Sequence, residues 1–244
     1  TLVDDHFADQ QMWAGIAHAR NVLSCLPLVA VGIWGMLATL RSRWPLYMRA
    51  PWFGFFAAAA IHAGASSVYH LAPNDAGYAL SHWFAASAFT LLLLGFLAER
   101  INPRYGSRTA IAAGIGAATL AALWWTMGQR ISGAGDLRAM LLLECLPLLL
   151  IPAGALNVRG RFTPRADWLW MLGGYALARF AGLADAALFD ATNWISGHTL
   201  MHLLLAWVTA CLAYRASASP RVEGASLGEP VEPTHRKVSL NTSS

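Results

Sequence analysis

The sequence predicts an all-α fold, a bundle of seven transmembrane helices with the N-terminus outside and the C-terminus in the cytoplasm. Three observations lead there. Of 244 residues, 57% are hydrophobic and only 12% charged, where a soluble domain carries about a quarter charged residues, and the mean hydropathy is +0.45. Seven apolar runs, each near the roughly 20 residues needed to cross a hydrocarbon core, occupy more than half the chain. Lys and Arg gather in alternate connections between those runs. The same composition excludes a disordered chain, a collagen repeat and a disulfide-rich scaffold.

Residues 1–20 are acidic and aromatic and lack the basic, then apolar, pattern of a signal peptide, so they form an N-terminal segment outside the membrane. Apolar runs follow at 22–40, 51–71, 77–98, 109–126, 137–157, 166–188 and 196–214, within a membrane domain spanning 21–215. Lipid cannot satisfy backbone N–H and C=O groups, so runs of this kind must be helices. From 216 to 244 the chain turns to Ser, Pro, Glu and Gly without periodicity, which predicts a disordered cytoplasmic tail. The Asn241 sequon in that tail carries no meaning on the cytoplasmic side. No internal repeat is visible, which weighs against an inverted-repeat transporter.

Charge sets the orientation. Arg41, Arg43 and Arg49 follow the first run, Arg100, Arg104 and Arg108 the third, and Arg159, Arg161 and Arg165 the fifth. Arg215, Arg221, Arg236 and Lys237 follow the seventh. The opposite side holds only Arg20, Arg130 and Arg138, and Arg179 lies inside the sixth run. This asymmetry accounts for the net charge of +4 by the positive-inside rule and leaves no basic groove for nucleic acid. Cys25, Cys145 and Cys211 sit singly in apolar runs and read as small buried hydrophobes. The pair Trp124 and Trp125, with Trp168 and Trp170, lies near run ends and reads as an interfacial belt.

Ionisable residues within membrane helices are functional candidates. His62 and His70 lie in the second run, His82 near the start of the third, and His198 and His202 near the start of the seventh. The last two are four residues apart, on one helical face. The second helix runs outward while the third and seventh run inward, so His70, His82, His198 and His202 all fall near the outer face. Three His ligands with an open fourth position are a catalytic zinc arrangement. The alternative is that the histidines cement helix packing, which is the better account of His62. His6, His18 and His235 read as solvent-side residues.

FADQQMWAGIAHARNVLSCLP, SSVYHLAPNDA, LAERINP, GAGDLR, LPLLLIP and especially WISGHTLMHL, taken in order and spacing, resemble landmarks of the alkaline ceramidase family, in particular its bacterial alkaline phytoceramidase-like members. That family lies within a wider group of seven-helix membrane hydrolases that includes the adiponectin-receptor-like proteins. The resemblance covers almost the whole membrane domain. It implies a multi-pass protein of the bacterial inner membrane, with zinc held by His70, His198 and His202 and with Ser66 beside the water. The implied reaction is hydrolysis of the amide bond of a ceramide-like lipid drawn from the bilayer, yielding a fatty acid and a sphingoid base. Zinc would polarise the carbonyl and lower the pKa of the water, and Ser66 would orient the water or donate to the oxyanion.

Three positions depart from the family's pattern. The aspartate that serves as general base is replaced by Ser81, and losing a positioned base costs about 10²–10⁴ in rate. His82 or Asp75 could substitute. The alternative expectation is a metal-binding lipid receptor or pseudoenzyme with impaired turnover. At the N-terminus, Asp4, Asp5 and Asp9 form a solvated acidic lip rather than a calcium site, because His18 stands where eukaryotic relatives carry a glutamate. Gly182 replaces an acid in the sixth helix, leaving Glu144 and Asp185 as expected partners of Arg179.

Overall fold

The computed structural model describes residues 7–218, and the acidic residues Asp4 and Asp5 and the tail beyond Ala218 lie outside them. Among the described residues the chain forms eight α-helices: α1 (Ala19–Arg41), α2 (Leu46–Leu71), α3 (Asp75–Arg100), α4 (Arg108–Ser132), α5 (Arg138–Asn157), α6 (Arg165–Leu183), α7 (Asp185–Thr192) and α8 (Gly197–Ala218), with a 3-10 turn at Pro103–Gly106. Five of them, α1, α3, α4, α5 and α8, are long and apolar enough to cross a membrane. The other two long helices carry more polar residues, α2 through His62, Ser66, Ser67 and His70 and α6 through Arg165, Asp167 and Arg179. The outer surface is correspondingly oily: Ile131 is 81% exposed, Leu183 83% and Leu149 70%, an exposure of large apolar side chains that fits membrane-type helices.

The sixth apolar run does not continue as one helix to 188. It ends at Leu183, and the eight-residue α7 starts at Asp185. The corner is built by competition for backbone groups. The Ala184 N–H turns back to the carbonyls of Phe180 and Ala181, while the Asp185 carboxylate leaves the helix direction to accept the N–H groups of His198 and Ala8. At the other end of α7, Asn193 adopts the left-handed conformation at φ 52, where Asn is the best tolerated residue after Gly.

The helices close into a ring. α1 packs on α2 and α8, α2 on α3, α3 on α4 and α5, and α6 on α8; α5 is held mainly by α3 and meets α4 and α6 only thinly. Small residues allow the close approach of α1 and α2, since a Cβ at Gly32 would stand 2.7 Å from Ala60 Cβ. One end of the bundle is aromatic and arginine-rich. There Trp168 is 1% exposed, packs 5.9 Å from Trp52 and 5.1 Å from Phe96, and donates its indole N–H to Thr163 at 2.8 Å. Trp168 and Trp125 are therefore core residues and not part of a belt, whereas Trp124 and Trp170 face outward. Polar ties lock this end: Glu99 accepts from the Phe162 and Thr163 backbone, Arg100 donates to the Val158 and Thr163 carbonyls, and Arg215 pairs with Asp167. The opposite end holds the starts of α1, α3 and α8, the end of α2 and the N-terminal segment, and there the histidines gather.

Candidate metal centre

His70 projects from the last turn of α2, and His198 and His202 from successive turns of α8. His198 Nε2 lies 3.3 Å from His70 Nε2 and 3.0 Å from His202 Nε2. The ring centroids are 4.7–5.3 Å apart. His70 and His202 are buried, and Ser66 Oγ is 3.2 Å from His70 Nε2.

An imidazole nitrogen has either one proton or one lone pair, so His198 Nε2 cannot complete ordinary hydrogen bonds with both neighbours. A cation facing three lone pairs removes the conflict. Zn–N bonds of about 2.0–2.1 Å place two nitrogens of a regular tetrahedron about 3.3 Å apart, and the observed separations are 3.3 and 3.0 Å. Both separations are compatible with nitrogens that share one metal ion.

Cys25 of α1 joins the same cluster. Its Sγ is 2.9 Å from His202 Nδ1 and 3.3 Å from the Asn21 carbonyl. Cys25, His70 and His202 form a buried group whose ligand atoms lie within 4.8 Å of one another and could bind a metal ion. The two ligand sets exclude each other at His202, because its two ring nitrogens point in different directions. With Nε2 on the metal, the Nδ1 proton is donated to Cys25 Sγ, the orienting hydrogen bond that metal-bound histidines usually make. The sequence signal for Cys25 was a thiol in the first turns of an apolar helix, which by itself identifies no site.

The surrounding residues fix the cluster. Ser196 caps α8, its Oγ accepting the Thr199 N–H at 3.1 Å; Ser is a preferred residue there because its oxygen satisfies an orphan donor. Thr199 donates to Asn21 Oδ1 at 2.8 Å, tying α8 to α1, and Ser67 donates to the Val22 carbonyl at 2.8 Å, tying α2 to α1. Asp185 accepts the His198 N–H at 2.6 Å and the Ala8 N–H at 2.9 Å. Through that second bond the N-terminal segment closes over the site. Phe7, 7% exposed, lies edge-on to His70 at 4.7 Å and tilted against His198 at 5.1 Å. Phe7 was not predicted, and Asp185 was expected to pair with Arg179 rather than to accept the His198 N–H; both roles depend on contacts between distant segments that no local pattern shows.

The other sequence-predicted residues are distributed differently. Ser81 bonds to His62 and not to the cluster, and His82 Nδ1 faces Glu144 Oε1 at 3.3 Å. Asp75 accepts from Gln129 at 3.2 Å. Arg179 forms no salt bridge among the described residues, lying instead 3.8 Å from the Met201 sulfur, because Asp185 and Glu144 are engaged elsewhere. Asp9 is buried, bonded at 3.0 Å to Arg20, and His18 packs its ring on Phe7 at 5.5 Å rather than facing solvent.

Fold and site together define a helical bundle with membrane-type helices and a buried His-Cys cluster able to bind a metal. Comparison of the chain with known protein families, with curated proteins and with solved structures gives no match.

Proposed function

We propose that the protein is a zinc-dependent membrane amidase of the alkaline ceramidase type, hydrolysing ceramide-like lipids to a fatty acid and a sphingoid base. In this reading α1–α6 and α8 are its seven spans and the histidine end faces outside. The observation that carries it is the convergence of three Nε2 atoms from α2 and α8 beside the Ser66 hydroxyl. The order of sequence landmarks and the arginines at the far end support it. Zinc bound there would polarise the amide carbonyl and make a water acidic enough to attack it.

The protein's own residues do the rest. Ser66 stands within reach of a carbonyl oxygen seated at the cluster and stabilises its developing charge. Phe7 limits access from the outer aqueous phase, which favours attack by one held water over exchange with bulk. The thin packing of α5 against α4 and α6 offers a lipid a sideways path.

One observation favours a second reading, a metal-binding lipid receptor. Among the described residues no carboxylate oxygen hydrogen-bonds a ring nitrogen of His70, His198 or His202, so the usual acid-base group is missing. Incubating the purified full chain with a fluorescent ceramide decides between them. The amidase releases fatty acid and sphingoid base in equal amounts, and Ser81→Asp raises the rate. Zinc-loaded protein that releases neither, as wild type or as Ser81→Asp, is a receptor.

A further inference from the structure

Two histidines near the metal cluster stand outside it, His62 on α2 and His82 on α3, and their bonding differs in kind. His82 Nδ1 faces a carboxylate oxygen of Glu144 at 3.3 Å. His62 Nδ1 faces only Ser81, its backbone carbonyl at 2.9 Å and its hydroxyl at 3.2 Å. A backbone carbonyl can only accept, so Nδ1 carries the proton of the neutral ring and Nε2 carries the lone pair. That Nε2 has no hydrogen-bond partner among the described residues, and it is not among the buried atoms sealed away without one. A half-buried imidazole thus presents a nitrogen whose lone pair is free.

Its position suits a proton acceptor. His62, Ser66 and His70 are spaced four apart on one stripe of α2. Ser66 stands midway, about 6 Å of helix rise from each histidine, with its hydroxyl 3.2 Å from His70 Nε2; the remaining step from Ser66 to His62 is roughly the span of two hydrogen bonds through one water. The other candidate bases are engaged: His82 with Glu144 and Asp75 with Gln129.

We propose that His62 is the proton acceptor and donor of the hydrolysis, with Ser81 as the residue that positions it. The inference rests on the amidase reading above. As the attacking water forms its C–O bond to the amide carbon, one of its protons passes through a bridging water at the level of Ser66 to His62 Nε2. When the C–N bond breaks, the same proton returns to the departing nitrogen, leaving a fatty acid, a sphingoid amine and a neutral His62. No external reductant, oxidant or co-reactant is needed. The titratable groups facing His62 are His70 on its own helix, His82 on α3, Glu144 on α5 and His202 on α8. Glu144, already shared with His82, is the one acid among them.

The test uses the zinc-loaded full chain in detergent. His62→Asn keeps a donor towards the Ser81 carbonyl and removes the base. The expected result is a fall in kcat of about 10²–10⁴-fold with unchanged KM and zinc content, and loss of the acid limb of the pH–kcat profile. Nitrogen NMR of histidine-labelled wild type supplies a readout independent of turnover and of any variant's folding, and it should find Nδ1 protonated and Nε2 bare at His62. Undiminished turnover in His62→Asn, or a proton on Nε2, overturns the role of His62 and leaves the amidase standing. Zinc-loaded wild type that releases no fatty acid overturns the amidase, and this step with it.

Discussion

Gly197→Ala tests whether the metal centre depends on one close backbone contact. Gly197 opens α8 against the corner between α6 and α7. A methyl group there would stand 2.7 Å from Asp185 Cα and 2.8 Å from Asp185 N, and closer still to the Ala181 carbonyl. Ordinary carbon contacts are about 3.5–4.0 Å, so α8 and the corner must part by about 1 Å, and backbone cannot rotate out of the way as a side chain can. The 2.6 Å bond from the His198 N–H to Asp185 then stretches beyond hydrogen-bond range. Overpacking costs about 1–3 kcal/mol, and a lost bond to a charged group about 1.5–3 kcal/mol. His198 moves with the helix start, so zinc affinity should fall about a hundredfold, equivalent to about 2.7 kcal/mol. Chelator competition and thermal unfolding in detergent measure both effects. Gly173→Ala, where a Cβ meets nothing within 4 Å, is the control and should match wild type. If Gly197→Ala binds zinc and melts like that control, the contact does not hold the site.

Three further outcomes follow from the same geometry. Cys25→Ala should keep the wild-type zinc stoichiometry while weakening affinity about 10–100-fold, the usual effect of removing an orienting partner; complete loss of zinc would make Cys25 a ligand. Phe7→Ala should leave stoichiometry unchanged and speed zinc loss to a chelator, which stopped-flow mixing would follow; an unchanged rate would mean that Phe7 does not cover the site. At the far end, Trp168→Ala should lower stability by about 3–5 kcal/mol without altering zinc affinity, read from unfolding and chelator titration on one preparation.

Much of the architecture was written in periodicity and composition, because a membrane helix must be apolar over its length and the runs at 22–40, 77–98 and 196–214 could be little else. His70, His198 and His202 were legible for a related reason: alternating helix direction converts sequence position into depth, and the three fell at one end. The structure brings them together as that depth argument required. What failed was governed by contacts between distant segments. The break at Ala184 arises because Asp185 serves α8 and residue 8, neither of which a local pattern can reveal. Trp168 looked interfacial by position but is buried against Trp52 and Phe96, partners contributed by α2 and α3. His62 read as an ordinary packing residue and Ser81 as the replacement of a general base, and only their pairing shows which His62 nitrogen is free. Cys25 likewise acquires meaning from His202, 177 positions away.

The central claim is a metal held through Nε2 of His70, His198 and His202, and the most direct measurement is zinc per chain in the purified protein beside His70→Ala, His198→Ala and His202→Ala. The account predicts one zinc per chain in the wild type and its loss in each variant, with folding retained by circular dichroism. A wild type without zinc, or a His198→Ala protein that keeps it, would contradict the three-histidine centre, the latter result in favour of Cys25, His70 and His202.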